Sequence, residues 1–248
     1  MRPSLPSIMC RCAFVAAAFC LAQAAPRTYT YPQLVQRVYD LQQLVHAPKP
    51  GEKSGCVSSF DRASRYNEQT GLYENWFANS DGGGHIRKEG EDTVMAELKG
   101  PGVIWRIWSA RATQGHVQFF IDGAQTPVID MPFERLFDNT KEPFAYSNLN
   151  RTMARGLNFF IPIPYQKSCK IVLKKGWGNY FQCTYTRFPE GTRVPSFDGR
   201  FSQADRAALE KAQAIIAQRG GAPAQEKSFQ KTISVPAGKT TVLADIAG

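Results

Sequence analysis

The sequence predicts a mainly β protein: a jelly-roll or β-sandwich domain with flanking helices, followed by the start of a second, similar jelly roll. Short runs of alternating apolar and polar residues fill the region 56–188, and a helical pattern lies on each side of it. An octet at 93–100 also returns in related form at 241–248. Because no strand-like run alternates with a helical one, the pattern argues against a parallel nucleotide-binding sheet.

Residues 1–24 have the features of an export signal. Arg2 and Arg11 give a positive start, and residues 12–22 form an apolar run too short to span a bilayer as a helix. The tripeptide 22–24, Ala-Gln-Ala, has the pattern of a signal-peptidase site. We expect cleavage near Ala24 and a secreted or periplasmic protein with no membrane span after cleavage. An uncleaved anchor is the alternative.

The charge pattern predicts a solvated basic surface and not a nucleic-acid site. The net charge is +9, but the Lys and Arg residues are scattered without a run of five or more. No motif of interleaved aromatic and basic residues accompanies them. We therefore expect no nucleic-acid partner.

Three of the six cysteines lie within residues 1–24, which leaves Cys56, Cys169 and Cys183. Cys169 and Cys183 lie on consecutive predicted strands and are candidates for a disulfide; alternatively, all three are small buried residues. No Cys-x-x-Cys is present, and the three histidines lack ligand spacing. We expect neither a metal site nor another cofactor.

Two helices flank the β region. The first lies within residues 25–50, where Thr30 is a candidate cap and Pro32 lies in the first turn. Its apolar positions are Leu34, Val35, Val38, Leu41, Leu44 and Val45. The second covers about 203–219, with Ser202 and Asp205 as a capping box. Its apolar positions are Ala208, Leu209, Ala212, Ile215 and Ile216.

The alternation assigns side chains to the two faces of each strand. In the strongest run, Val103, Trp105 and Ile107 are predicted to share one face, and Ile104, Arg106 and Trp108 the other. Four further runs alternate in the same way, at 117–122, 157–161, 169–174 and 181–186.

The repeat sets the predicted domain boundaries. Residues 93–100 read Thr-Val-Met-Ala-Glu-Leu-Lys-Gly, and residues 241–248 read Thr-Val-Leu-Ala-Asp-Ile-Ala-Gly. We expect a first jelly roll over 51–200, a bridging helix and linker over 201–226, and the start of an incomplete second jelly roll over 227–248. A chance likeness between two strand endings is the alternative.

Two long loops, about 62–92 and 133–156, interrupt the strands and are either binding loops or plain insertions. Immediately before the first lies Ser-Ser-Phe-Asp-Arg, residues 58–62. Asp61 can accept hydrogen bonds from sugar hydroxyls and Arg62 can donate them, while Trp76 and Trp108 can offer stacking faces. The alternative is a structural turn with two core tryptophans. Gly82-Gly83-Gly84 is interpreted as a flexible loop tip.

Several segments together resemble the start of glycoside hydrolase family 172. They are Ser-Ser-Phe-Asp-Arg at 58–62, Leu-Lys-Gly-Pro-Gly-Val-Ile-Trp-Arg-Ile-Trp at 98–108, Phe-Ile-Asp-Gly at 120–123, Met-Pro-Phe at 131–133, Phe-Ile-Pro-Ile-Pro-Tyr at 160–165 and Lys-Ser-Cys-Lys-Ile at 167–171. The likeness covers roughly residues 27–200.

The resemblance implies two tandem jelly rolls, assembly into trimers or larger homo-oligomers, and action on furanosides such as fructofuranose or arabinofuranose linkages. It also implies a retaining mechanism with two carboxyl groups about 5–5.5 Å apart. The family's catalytic glutamates lie in the second jelly roll, one of them in a Gly-Thr-Glu-Asp-Tyr-like segment that this sequence lacks. We therefore assign no catalytic residue and expect the chain to be inactive alone.

A substrate-contact role carries over to Asp61, Arg62 and Trp108. After Asp-Arg the family commonly has Gly-Gly-Asn, where this chain has Ala-Ser-Arg-Tyr-Asn at 63–67, so the substrate preference is open. The alternative functions are a carbohydrate-binding module and a structural or assembly subunit of the envelope, neither of them catalytic.

Overall fold

The computed structural model of the chain describes residues 27–42, 49–110, 112, 115–140, 142–174, 180–218 and 232–243. The predicted export signal lies outside these ranges, as do residues 43–48 of the first predicted helix and residues 244–248 of the repeat.

The described chain is a sandwich of two antiparallel sheets with two helices, which confirms the predicted mainly β class. The helices are α1 (Tyr31–Tyr39) and α2 (Gln203–Ala217). The strands are β1 (Lys53–Ser58), β2 (Arg65–Asn67), β3 (Leu72–Glu74), β4 (Arg87–Glu89), β5 (Asp92–Lys99), β6 (Gly102–Ser109), β7 (His116–Ile121), β8 (Ile129–Pro132), β9 (Asn150–Met153), β10 (Gly156–Phe159), β11 (Ile163–Tyr165), β12 (Ser168–Leu173) and β13 (Phe181–Arg187).

The strand order places β6 in the middle of the larger sheet. Its six strands run β1-β13-β6-β10-β9, and β11 also pairs with β6. The second sheet runs β4-β5-β12-β7-β8, and β2 and β3 form a separate hairpin. The predicted loops are thus partly structured: the first contains this hairpin and β4, and the second contains a 3-10 turn at Phe133–Leu136 and β9.

One strand departs from its predicted alternation because the β6–β13 ladder contains a β-bulge. Ile104 pairs with Tyr185 and Arg106 with Thr184, so Trp105 has no partner of its own on β13. Ile104 and Ile107 both lie in the main core as a result. The prediction that Ile107 shares a face with Val103 and Trp105 is wrong, as is the prediction that Ile104 shares one with Arg106 and Trp108.

The regular strand β7 follows its predicted pattern. Val117, Phe119 and Ile121 are buried, while Gln118 and Phe120 are half-buried on the outer face. Without a bulge, the two-residue period carries each apolar side chain to the same face. The pattern at 117–122 is thereby confirmed.

The cysteines of the described chain form no disulfide. Cys169 on β12 and Cys183 on β13 are both buried and free, and Cys56 is exposed and free. Although β12 and β13 are consecutive, they belong to different sheets, so their cysteines are not cross-strand neighbours. Burial raises the pKa of both buried thiols, which keeps them protonated.

The first helix is shorter than predicted, and the second has its predicted start. Helix α1 ends at Tyr39, where Asp40 leaves helical geometry, and Leu41 is exposed instead of joining the apolar stripe. Helix α2 begins with the predicted capping box of Ser202 and Asp205. The two helices pack against each other. Within the described ranges, no helix is long and apolar enough to cross a membrane.

Residues 232–243 form no strand, pair with neither sheet and are almost all exposed. The second jelly roll, with the other domain boundaries, therefore stays a prediction.

A single carboxylate ties three segments of the sandwich together. Asp122, after β7, accepts hydrogen bonds from the backbone N–H groups of Lys167 (2.6 Å) and Ser168 (3.0 Å), and another from Gln166 (3.3 Å). The hydroxyl of Ser196 also donates to it. Burial raises the pKa of Asp122, but these hydrogen bonds outweigh it and leave the pKa below its ordinary value.

We expect Asp122→Ala to lower the free energy of unfolding by about 2–3 kcal/mol at neutral pH, because several backbone donors lose a charged acceptor. A depressed folded-state pKa gives stability that is present above the unfolded pKa of about 3.9 and is lost as the pH falls through the folded value. Urea unfolding should therefore show a difference from wild type that shrinks below about pH 4.

Asp198→Ala is the matched control, since exposed Asp198 accepts only a local hydrogen bond from the Arg200 N–H. An Asp122 variant as stable as wild type at neutral pH would contradict this account of Asp122.

Candidate functional site

The segment Ser58–Arg62 continues from the end of β1 and is anchored to β13. The hydroxyl of buried Ser59 accepts a hydrogen bond from the Phe181 N–H (3.0 Å), and the Ser59 N–H donates to the Phe181 carbonyl (3.1 Å). Ser59 thus prolongs the β1–β13 pairing with its own side chain, which fixes where Phe60, Asp61 and Arg62 leave the sheet.

The carboxylate of Asp61 organises the turn that follows. Its oxygens accept hydrogen bonds from the backbone N–H groups of Ala63 (2.9 Å) and Ser80 (2.9 Å). Those donors hold the pKa of Asp61 below its ordinary value. The Asp61 N–H in turn donates to the Asp81 carboxylate (2.6 Å). Asp61 is ionised and already accepts two backbone hydrogen bonds. Its predicted ligand contact therefore depends on the carboxylate lone pairs that these donors do not use.

Arg62 lies beside the turn, and part of its guanidinium is used in contacts within the protein. It donates to the carbonyls of Ser58 (3.1 Å) and Phe60 (3.3 Å), and its charge lies 4.5 Å from the centroid of the Phe60 ring. Partial desolvation lowers its pKa, but arginine stays charged. Two of the five N–H donors of a guanidinium are used in this way, which leaves others for a ligand.

The glycine triplet is a close-packing segment of the fold. The N–H groups of Gly82 (2.7 Å) and Gly84 (3.2 Å) both donate to the Ser59 carbonyl. A Cβ on Gly84 would lie 1.9 Å from the Phe60 carbonyl oxygen, so only glycine allows this approach. The interpretation of the triplet as a flexible loop tip is therefore wrong, because its backbone presses against Ser59 and Phe60.

Trp108 lies on the outer face of the six-stranded sheet. The bulge at Trp105 turns Trp108 and Arg106 away from the core, and Trp108 is half-buried there. Its indole lies against Gly156 of β10, where a Cβ would come within 2.1 Å of the indole nitrogen. Side chains on adjacent strands form one line across this face: Ser58, Gln182, Trp108, Asn158 and Arg151.

Arg106 holds the amides of that line in place. Its guanidinium donates to the Asn158 Oδ1 (2.9 Å) and to the Gln182 Oε1 (3.2 Å) and lies 5.9 Å from the Phe160 ring centroid. Partial burial lowers its pKa without removing the charge. Asn158 is buried, so it supports the guanidinium without reaching solvent. Trp108, Gln182 and Arg106 therefore share one partly exposed surface, which suits a ligand with apolar faces and many hydroxyls.

This surface brings together two of the three predicted site elements. Ser58 precedes the Asp61–Arg62 turn and lies two strands from Trp108, roughly 10 Å by strand spacing. Trp76, in contrast, follows the β2–β3 hairpin and packs with Tyr73. Sequence reasoning missed the site roles of Arg106, Asn158 and Gln182, although each is a polar position within an alternating run.

Six described carboxyl groups have a pKa that departs from its ordinary value, all in the same direction. Each Asp or Glu whose pKa departs from its ordinary value is shifted downward, because N–H and cationic donors stabilise the charged form. These residues are Asp61, Glu74, Glu89, Asp122, Asp130 and Asp138. Among the described residues, no group of three or more His, Cys, Asp and Glu side chains could hold a metal ion.

The opposite sheet carries a second surface that could bind a ligand. An open groove of about 580 Å³ on its outer face is lined partly by Glu97, Lys99, Phe120 and Lys170. Lys170 forms an ion pair with Glu89 and lies 5.1 Å from the Phe120 ring centroid. Two of its charged lining residues are used in ion pairs, Glu97 with Arg87 and Lys170 with Glu89, and the groove holds none of the predicted site residues.

Comparison with known proteins gives one family. The model of the GH172 first beta-sandwich domain, from glycoside hydrolase family 172, matches residues 50–205. This range includes both sheets and the start of α2. No curated protein matches the chain.

We expect Gly84→Ala to destabilise the Ser58–Arg62 segment, because the new methyl group cannot fit against the Phe60 carbonyl. The expected loss is about 1–3 kcal/mol in the free energy of unfolding, with faster proteolytic cleavage within 58–86. Gly83→Ala is the control, because its Cβ would meet only the Ser80 carbonyl oxygen at 3.6 Å. Equal effects of the two substitutions would contradict the close-packing role of Gly84.

Proposed function

Because the chain belongs to glycoside hydrolase family 172, we propose that it provides the carbohydrate-contacting first β-sandwich domain of an exported furanoside-processing enzyme. The family supports a carbohydrate substrate in general terms. The furanoside class follows from the motif resemblance, and the surface described above supports a contact role for this domain.

The observation that carries the proposal is the outer face of the six-stranded sheet. It presents the Trp108 ring beside Gln182, whose amide is oriented by Arg106. The Asp61–Arg62 turn borders the same face through Ser58. A sugar ring has apolar C–H faces that suit an indole and equatorial hydroxyls that suit amides and a guanidinium.

We also propose that this chain alone does not hydrolyse glycosides. A retaining mechanism needs one carboxyl group that stays protonated and a second about 5–5.5 Å away as nucleophile. The sequence lacks a Gly-Thr-Glu-Asp-Tyr-like segment, and the six described carboxyl groups with a shifted pKa are all shifted downward, which disfavours the protonated form. The catalytic pair would then belong to a second domain.

Two further properties belong to the proposal. Residues 1–24 support export to the periplasm or the extracellular space, with cleavage near Ala24. The motif resemblance supports assembly into trimers or larger homo-oligomers. The domain division at about residues 200 and 226 is proposed on the same sequence grounds.

We expect Trp108→Ala to weaken binding of fructofuranosyl or arabinofuranosyl oligosaccharides about tenfold in calorimetric titration, because the stacking face is lost. Arg62→Ala should weaken binding less, about threefold, since Arg62 lies at the border of the surface. Phe120→Ala is the matched control, an aromatic change on the outer face of the opposite sheet. Unchanged binding by Trp108→Ala, or an equal loss with Phe120→Ala, would contradict the proposed surface.

With nitrophenyl furanosides, the 248-residue chain should show no turnover above the uncatalysed rate, because it lacks the acid and nucleophile pair. The assay follows nitrophenolate release in the wild type and in Asp61→Asn. Turnover in the wild type that is lost in Asp61→Asn would place a catalytic carboxylate in this chain and overturn the proposal of inactivity.

A further inference from the structure

The hairpin formed by β2 and β3 carries an exposed group of aromatic rings, which we call the aromatic hairpin: Tyr66, Tyr73 and Trp76. Their side chains are 54%, 53% and 67% exposed. Tyr66 and Tyr73 are direct cross-strand partners with ring centroids 5.2 Å apart, and Tyr73 and Trp76 are 5.5 Å apart. Three adjoining exposed rings of this size are unusual on a protein surface without a ligand or partner.

Hydrogen bonds hold the rings in a fixed arrangement. Asn67 closes the hairpin turn, since its side-chain oxygen accepts from the N–H groups of Gln69 (2.9 Å) and Thr70 (3.2 Å). Asn75 has a left-handed backbone (φ 50°), and its side chain donates to the Ala63 carbonyl (2.9 Å). Trp76 is therefore presented from a defined turn, and little conformational freedom is lost when it binds a ligand.

The same contacts connect the aromatic hairpin to the predicted site. Ala63, which accepts from Asn75, also donates its N–H to Asp61 and directly follows Arg62. The aromatic hairpin and the Asp61–Arg62 turn thus form one continuous unit next to the outer sheet face.

The two charged residues on the strands of the hairpin pair with each other. Arg65 forms an ion pair with Glu74, and Asn67 donates a second hydrogen bond to the same carboxylate (2.8 Å). These contacts, the Asn67 hydrogen bond first, hold the pKa of Glu74 below its ordinary value. A paired rim of this kind suits an uncharged ligand that is rich in hydroxyl groups.

The ring geometry selects a form of carbohydrate. Tyr66 and Tyr73 are inclined by 60°, and Tyr73 and Trp76 by 61°. Rings so inclined share no plane, so they cannot lie flat on an extended crystalline surface. A single soluble chain that twists along its length can contact successive rings.

We propose that the aromatic hairpin binds an uncharged carbohydrate chain several units long and extends the contact that begins at the Asp61–Arg62 turn. This inference rests on the proposed function. It assigns the hairpin a role in recognising chain length, in addition to the contact at the Trp108 surface.

Calorimetric titration of the full chain with furanosyl oligosaccharides from disaccharide to hexasaccharide tests the proposal. The wild type should bind more tightly as the chain lengthens. Trp76→Ala and Tyr73→Ala should weaken hexasaccharide binding about tenfold and leave disaccharide binding within about twofold of wild type. Phe77→Ala is the control, because Phe77 follows Trp76 in the chain and is 93% exposed, and this variant should bind like wild type.

The outcomes separate this inference from the function on which it rests. If Trp108→Ala weakens binding while Trp76→Ala and Tyr73→Ala leave hexasaccharide binding unchanged, the aromatic hairpin inference is overturned and the proposed function stands. If the wild type binds no oligosaccharide, both are overturned. If Trp76→Ala and Phe77→Ala both lower the mass in analytical ultracentrifugation, a second copy of the chain covers the rings and the carbohydrate role is wrong.

Discussion

The β-bulge between β6 and β13 is the constraint on which the candidate site depends. Strict alternation would put Arg106 and Trp108 on the same face as Ile104, which is in the core. Because Trp105 occupies the extra position, Ile107 turns inward instead, and Arg106 and Trp108 turn outward. Bulges re-aim side chains in this way next to functional sites in many β proteins. One added residue thus keeps the core apolar and creates an outer face with an indole and a guanidinium.

The family motifs combine structural and binding roles that the sequence alone does not separate. Asp122, in the Phe-Ile-Asp-Gly motif, accepts hydrogen bonds from backbone groups of the segment 166–168 and so joins the end of β7 to the start of β12. Asp61 organises its turn in a similar manner through the N–H groups of Ala63 and Ser80. Arg62 retains unused donors, and Trp108 retains an open face. Asp122 therefore stabilises the opposite sheet and Asp61 the turn beside the surface, while Arg62 and Trp108 are the contact groups.

The sequence predicted the sandwich class, the start of α2 and the faces of β7, because these follow from regular periodicity and local capping chemistry. It could not predict the bulge at Trp105, where no glycine or proline marks the irregularity. Cys169 and Cys183 lie on different sheets because β12 and β13 pair with other strands and not with each other. The short spacing between the two cysteines in the sequence does not reveal this pairing. The close approach of Gly84 to the Phe60 carbonyl is also a tertiary contact that the sequence does not reveal, since more than twenty residues separate the two in the chain.

The central claim is that carbohydrate binds on the outward-turned face of β6. Nuclear magnetic resonance of the isotopically labelled chain, titrated with a furanosyl tetrasaccharide, tests it most directly. The account predicts that the largest shift changes occur at the Trp108 indole and the side-chain amide of Gln182. Changes confined to Phe120, Lys170 and their neighbours on the opposite sheet would contradict it.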